Sequence, residues 1–285
     1  MSPIIITADD FGFSEEINEA VERAHRDGVL SAASLMISAP AAADAIARAQ
    51  RLPTLRVGLH VVLVHGTPTL PREEVDALVD RDGRFPENLA AAGVKWFFSP
   101  RARRQLNREI SAQFDAFRAT GLELDHVNAH NHIHLHPTVL SAFLRELEGQ
   151  KKAAVRLPRE PWRSYKEKND SPLRIGQLIE RGIMSPWLRI MESRLRAAGV
   201  AHNDWILGLA ESGHVDETAL VRFIDTLPNG VIEVYCHPAT HRTDTLERVM
   251  SDYDNESELA ALVSPKVKAR LYEKGLTPCG FAEIA

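Results

Sequence analysis

Short apolar runs alternate with longer amphipathic segments along nearly the whole chain. The run "IIITA" at 4–8 has no polar face, as expected of a strand covered on both sides. Behind it, Ser14 stands where a helix N-cap belongs and Glu15 and Glu16 fall in the first turn. Ile17, Ala20, Val21 and Ala24 then repeat at helical spacing up to a stop at Gly28. The alternation continues with "SAASLMIS" as a strand, "AAADAIARAQRL" as a helix and "LRVGLH" as a third strand. A long helix, roughly Arg101 to Ala119, leads into the strand "GLELDHVNAH". Later strands are expected at "AAVRLP", "WILGLA" and "GVIEVYCH", with a weaker pattern at "LTPCGFAEI".

Seven or eight mainly parallel strands separated by helices predict an α/β fold, a distorted (β/α) TIM-like barrel. An open doubly wound sheet is the alternative. No internal repeat, low-complexity tract or interdomain linker breaks the pattern, so one domain over residues 1–285 is expected. The stretches 64–100 and 158–186 read as long loops for such a barrel, and long loops tend to carry function.

Composition narrows the classes. A net charge of -5 and a pI near 6.2 speak against a nucleic-acid partner. Cys236 and Cys279 form neither a disulfide framework nor a metal-binding spacing, and are expected as reduced thiols in a cytoplasmic protein. "MSPIIITADDFG" reads as a strand rather than a signal peptide, and no apolar run approaches the roughly 20 residues that cross a bilayer.

In a (β/α) barrel the active site gathers at the carboxyl ends of the strands. Here those ends carry Asp9 and Asp10, His60, His130, Arg156 and His237. The stretch "LDHVNAHNHIHLHPT" holds five of the twelve histidines. Side chains alternate along a strand, so His126, Asn128 and His130 share one face, with His126 deepest and His130 at the rim. His130 is therefore the expected metal ligand and His126 a buried hydrogen-bond partner. His132 and His134 line the pocket or replace His130, and His136 before Pro137 is a cap or a surface residue. Two adjacent aspartates at a buried strand end repel one another and ask for a cation. One can ligate it while the other takes a proton from water; capping of the helix at Ser14 is the alternative. Gly12 lets the backbone turn tightly behind them. His60 is the second imidazole candidate, against a core histidine in "VGLHVVLV". One carboxylate and two imidazoles suit a single divalent ion, Zn²⁺ or else Co²⁺, Mn²⁺, Fe²⁺ or Mg²⁺.

At these motifs the chain resembles the YdjC-like carbohydrate deacetylases. "TADDFG", "GLH", "HVNAHNHIH" and "YCHPA" occur in that family's order across nearly the whole length. The longer stretches "TADDFGFSEEINEAVERAHRDGVLSAASLMISAPAAADA", "LRVGLHVVLVHGTP" and "LDHVNAHNHIHLHPT" are similar to its hopanoid-biosynthesis-associated branch. The resemblance implies a distorted barrel and removal of an N-acetyl group from an acetylated amino sugar. It implies Asp10, His60 and His130 as metal ligands and Asp9 as catalytic base. The branch implies a hopanoid glycolipid bearing an N-acetylglucosaminyl group; soluble chito-oligosaccharides are the other substrate class. Such chemistry needs an acid for the leaving amine, and His237 is the candidate, against a structural or substrate-contacting histidine. Arg156, Asn128 and His132 are the substrate-side candidates. Arg156 would bond a sugar hydroxyl, orient Asp9 or form a plain ion pair; Asn128 would bond a ligating residue.

Two stretches join aromatic and basic residues, Trp96, Phe97 and Phe98 with Arg101, Arg103 and Arg104, and Trp187 to Met191 with Arg189, Arg194 and Arg196. They suit peripheral contact with an inner-membrane surface or a lipid tail. The alternative is a helix packed on the barrel or on a second subunit of a homo-oligomer. Rival readings are a phosphoester or cyclic-amide hydrolase, an Fe²⁺ oxygenase with a two-histidine-one-carboxylate site, and a non-catalytic sugar- or metal-binding protein. The pair of aspartates disfavours the oxygenase, which has no task for the second acid.

Overall fold

The structure is a computed structural model that describes residues 3–150, 152–161 and 175–284, without the side chains of 175–185. Its strands are β1 (Ile4–Phe11), β2 (Ala32–Leu35), β3 (Arg56–Val61), β4 (Leu124–Ala129), β5 (Ala154–Val155), β6 (Trp205–Leu207) and β7 (Ile232–Cys236). They form one seven-stranded sheet in the order β5-β4-β3-β2-β1-β7-β6. Every pairing is parallel. The two edges are stitched together beyond the strands proper. Val155 N donates to Ala201 O at 2.9 Å, and Ile206 N donates to Arg159 O at 2.9 Å. The Asn203 amide clasps Leu157, accepting from its N at 2.7 Å and donating to its O at 2.9 Å. The expected distorted barrel is what forms, and the open doubly wound sheet is set aside.

Each expected helix grows from the signals read in the sequence. Helix α1 (Glu15–Asp27) is capped by Ser14 Oγ and buries Ile17, Ala20, Val21 and Ala24. Helix α2 (Ala42–Gln50) follows β2. The expected loop at 64–100 is in fact partly helical, with α3 (Arg72–Val75) and α4 (Leu89–Phe98) leading into α5 (Pro100–Ala119). Small alanines and an Asn88 N-cap favour α4, signals masked in the sequence by the surrounding prolines and glycines. Helix α6 (Pro137–Glu146) starts at Pro137, with His136 as its N-cap. Helix α7 (Ile175–Ala197) precedes β6; the rest of the expected loop at 158–186, residues 162–174, lies outside the described residues. Helices α8 (Glu217–Asp225), α9 (Asp244–Val249), α10 (Asn255–Val263) and α11 (Pro265–Glu273) complete the chain. The stretch "LTPCGFAEI" is no strand. It contributes one bridge, Pro278 to Ile4, and a 3₁₀ turn at Phe281–Glu283.

Two periodicities sort the strand residues. In β1, Ile4, Ile6 and Ala8 join the large core under the helices, while Ile5 packs inside the barrel with Ala32, Ala154 and Phe281. Above this apolar plug the interior turns polar: Ser34, His126, Asn128, Arg156 and Glu233 are all fully buried. Gly58 makes room for that layer, because a Cβ there would lie 2.5 Å from the His126 ring. Trp96 is also buried, whereas Phe97 and Phe98 are exposed. Trp187 donates through Nε1 to Leu135 O, and Met191 is buried. Among the described residues no helix is long and apolar enough to cross a membrane.

Gly58→Ala is expected to destabilise the fold by about 1–3 kcal/mol, the usual penalty for overpacking a dense interior. Chemical denaturation of the metal-free protein checks this; wild-type stability in the variant would mean that His126 can move aside freely.

Candidate active site

The carboxyl end of β1 is where the backbone departs most from a strand. The β1–β2 register shifts between Ala8 and Phe11, and Asp10 adopts φ 61°. Gly12 follows at φ 97°, and its N–H donates to Asn18 Oδ1 at 2.7 Å, tying the turn to α1. A positive φ is uncommon for a residue with a side chain. Among the described residues four non-glycines show it, Asp10, His65, Asn131 and His132, and all four line one cavity of about 210 Å³.

Asp10 and His130 line that cavity, and the buried His60 meets Asp10 from behind it. Asp10 Oδ1 lies 3.3 Å from His60 Nε2 and 3.0 Å from His130 Nδ1. One donor atom from each residue falls within 4.8 Å of the others, a spacing that could hold a metal ion. The donor chemistry fits a divalent cation. A second observation agrees: Asp10 Oδ2 is buried and has no hydrogen-bond partner, so it has capacity left for an ion. Burial acts to raise the Asp10 pKa, yet His130 and His60 outweigh it and hold the carboxyl well below its usual range. For His60, burial works against protonation, while Asp9 and Asp10 raise its pKa overall.

Asp9 points into the barrel beside this group. Arg156, fully buried, donates to both of its oxygens, Nη1 to Oδ2 at 2.5 Å and Nη2 to Oδ1 at 2.9 Å. The same guanidinium binds Glu233 through Nε at 2.9 Å and Nη2 at 2.7 Å, and lies over the Tyr235 ring at 5.1 Å. Burial alone would raise the Asp9 pKa. Arg156, His60 and His237 overcome it and hold the carboxyl well below the usual range.

His237 closes one wall between Tyr235 and Tyr253, with ring centroids 5.3 and 4.9 Å away. Its backbone is fixed from both sides: N donates to Glu258 Oε2, and O accepts from Asn255 Nδ2 at 2.6 Å. The ring's Nδ1 has no partner, and burial holds its pKa below the ordinary imidazole range despite the pull of Asp10 and Asp9.

The five histidines of the dense stretch thus part company. His126 lies deep, bonded to Asp125 and Ser34. His130 joins the cluster. His132 stands on the cavity wall against Tyr235, kept neutral by burial and by Arg156. His134 is fully buried, its Nε2 3.0 Å from Arg156 O, with its pKa driven to about 3 by burial and Arg156. His136 caps α6 and reaches Gly93 O at 3.1 Å.

Two substrate-side expectations need correction. Arg156 and Asn128 are wholly buried outside the cavity lining, and each makes the internal bond left open for it, Arg156 to Asp9 and Asn128 to His60. Arg156 is occupied by two carboxylates, and Asn128 spans His60 and Ser34. His132 does reach the cavity. Sequence reasoning missed Glu233, Ser34, Tyr235, Tyr253 and His65. For Glu233 the signal was present, a lone charge inside the apolar run "VIEVYC". Tyr253 and His65 come from loops, where no periodicity marks them. A second cavity, about 570 Å³, adjoins the first through Phe13, His65 and Val249; Met36, Val62 and Pro40 give it apolar walls, with Arg84, Glu87 and Arg248 also lining it.

The chain matches the YdjC-like protein family model over residues 3–273. It is 29% identical over 287 residues to a carbohydrate deacetylase of Brevibacillus brevis, covering 99% of both chains. It is 28% identical over 282 residues to a carbohydrate deacetylase of Geobacillus stearothermophilus, covering 98% of this chain and 97% of the other. A solved structure from Enterococcus faecalis, named for cellobiose-phosphate cleavage, aligns with a TM-score of 0.76 at 24% identity, over 100% of this chain and 99% of the other. That likeness concerns the fold. By its matching span, its order of motifs and its relatives, the chain belongs to the YdjC-like family.

Proposed function

We propose that the protein removes the N-acetyl group from an acetylated amino sugar, with Asp10, His60 and His130 holding one divalent metal ion. The observation that carries this reading is the meeting of those three residues, with Asp10 Oδ2 unpartnered, beside a second carboxylate locked in place by Arg156. The bound cation would supply Lewis acidity, polarising the acetamide carbonyl and making water acidic near neutral pH. Asp9 takes the proton of the attacking water. Its depressed pKa makes it a weak base, so it accepts that proton only in the right position and from a water already made acidic. Attack on the carbonyl carbon forms a tetrahedral centre; the C–N bond then breaks and acetate leaves. His237, also on the cavity wall and neutral at rest, must first take up a proton, the one Asp9 accepts from the water, before passing it to the departing amine. Arg156 orients Asp9 and does not touch the sugar. His132, held neutral, offers a hydrogen bond to a sugar hydroxyl.

The substrate we propose is a sugar carried on a hopanoid lipid. The adjoining cavity with apolar walls supports an apolar substituent, and the similarity to the hopanoid-associated branch supports that class. The relatives named as carbohydrate deacetylases support the sugar and the reaction. A soluble chito-oligosaccharide is the competing acceptor. Mass spectrometry of both substrate types after incubation with zinc-loaded protein tests the choice. Loss of one acetyl group from the glycolipid alone supports the lipid-linked reading, loss from the oligosaccharide alone reverses it, and loss from neither removes the function.

Asp9→Asn is expected to bind metal like the wild type while turnover falls by roughly 10²–10⁴-fold, and His130→Ala to lose the metal itself. Metal content by elemental analysis alongside acetate release separates the two; an Asp9→Asn protein with full turnover would take Asp9 out of the chemistry.

Arg156→Gln leaves Asp9 and Glu233 buried without their shared cation, which should destabilise the metal-free protein by about 3–5 kcal/mol at neutral pH. The sign with pH follows from linkage. In the wild type the depressed Asp9 pKa contributes stability above the ordinary value of 3.8, lost as pH falls below it. In the variant burial still raises the Asp9 pKa without the guanidinium to oppose it, so the deficit is fully present at neutral pH and shrinks as acid protonates that carboxyl. Denaturation of both proteins at about pH 8 and pH 5 should show the gap narrowing at the lower pH; a gap that stays constant would mean the two carboxylates find another counter-charge.

A further inference from the structure

Below the cavity a chain of side chains runs through the barrel interior, from the 3₁₀ turn at its base up to His60. Asp125 anchors the lower end, accepting from Phe281 N at 3.2 Å and Ala282 N at 2.8 Å. It also meets His126 Nδ1 at 2.9 Å; His126 Nε2 meets Ser34 Oγ at 3.0 Å. Asn128 Nδ2 donates to Ser34 Oγ at 2.9 Å, and Asn128 Oδ1 lies 2.6 Å from His60 Nδ1. None of these five residues is more than 2% exposed. Asp125, His126 and Ser34 stand in the order of a nucleophilic triad, yet no substrate reaches Ser34, so the arrangement must do something else.

The hydrogen-bond directions along the chain are not independent. An ionised carboxylate only accepts, so the proton of His126 sits on Nδ1 and Nε2 offers a lone pair. The Ser34 hydroxyl proton is spent on that lone pair, which leaves its oxygen as an acceptor for Asn128. The amide must therefore turn its NH₂ toward Ser34 and its oxygen toward His60. That oxygen also only accepts, so the His60 proton sits on Nδ1 and the lone pair of Nε2 faces Asp10. We infer that Asp125, His126, Ser34 and Asn128 form a relay of positioning residues that fixes the tautomer of His60 and so presents Nε2 to the metal.

The reversed amide is the competing arrangement. It sets its oxygen 2.9 and 3.0 Å from Arg156 nitrogens and its NH₂ on His60 Nδ1 at 2.6 Å, moving the His60 proton to Nε2. Four of the five Arg156 N–H groups serve Asp9 and Glu233, and the first arrangement sets the amide NH₂ beside the guanidinium, a cost that a metal on His60 Nε2 would offset by claiming that lone pair. Reversal also calls on the Ser34 proton, and then on a second proton at His126. The His126 ring is held in the chain by the room Gly58 leaves and by Phe281, tilted against it with centroids 4.8 Å apart.

The inference rests on the metal reading of Asp10, His60 and His130, and zinc alone serves as the probe. Zinc affinity of the full chain, measured by chelator competition, is expected to fall about 10- to 100-fold in Ser34→Ala, the usual effect of losing a partner behind a metal ligand. In the zinc-loaded wild type, the Asn128 amide protons should show contacts to the Ser34 β-protons by NMR, and the His60 ring should carry its proton on Nδ1. Wild-type zinc affinity in Ser34→Ala overturns the relay and leaves the metal reading intact. A wild type that binds no stoichiometric zinc removes the metal reading and the relay with it. Should Ser34→Ala not fold, the wild-type spectrum decides, since Asn128 amide protons facing the His60 ring would overturn the relay.

Discussion

The interior of this barrel depends on one buried cation. Arg156 has no solvent contact, and it holds Asp9 from β1 and Glu233 from β7 with four hydrogen bonds. Two carboxylates so far from water are tolerable only with a counter-charge in good geometry. The bidentate fork supplies that geometry as well as the charge. It links β5, β1 and β7 from the inside, at the level where β5 itself is only two residues long. Asp9 is thereby kept ionised and aimed, while its neighbour Asp10, turned by a left-handed backbone, is left to the histidines.

That turn belongs to a wider pattern. All four positive-φ non-glycines among the described residues surround the cavity, and such strain persists only where the surroundings enforce it. Buried carboxylates separately pin the connecting segments, by accepting backbone N–H groups. Glu109 takes Thr69 and Leu70 in the loop beyond His65. Glu258 takes Val215 and His237, and burial pushes its pKa up to about 7. Asp125 does the same for the turn at Phe281. A rigid rim made this way places imidazoles and carboxylates without asking the loops to be stiff by themselves.

The histidines show how environment divides one residue type among several tasks. His60, beside Asp9 and Asp10, gains a reason to bind a proton or a cation. His132 and His134, near Arg156 and away from water, are held neutral and serve as hydrogen-bond groups. His136 is simply a helix cap. Even Trp96, part of an aromatic stretch that suggested a membrane surface, is packed edge-on against His136 and buried.

Much of this was legible in the residue order. The apolar runs marked the strands, Ser14 and Pro137 marked helix starts, and period-two alternation placed His126, Asn128 and His130 on one face, because these signals depend only on near neighbours along the chain. Even the coincidence of Asp10, His60 and His130 at strand ends could be read, since a barrel gathers those ends in one place. What the sequence could not decide is which partner a polar group takes across the interior. Arg156 and Asn128 read equally as substrate contacts or internal partners until the fold put Glu233 and Ser34 against them, and "LTPCGFAEI" reads as a weak strand until the barrel floor claims Phe281. Those outcomes depend on distances between residues far apart in the chain, and only closure of the barrel sets them.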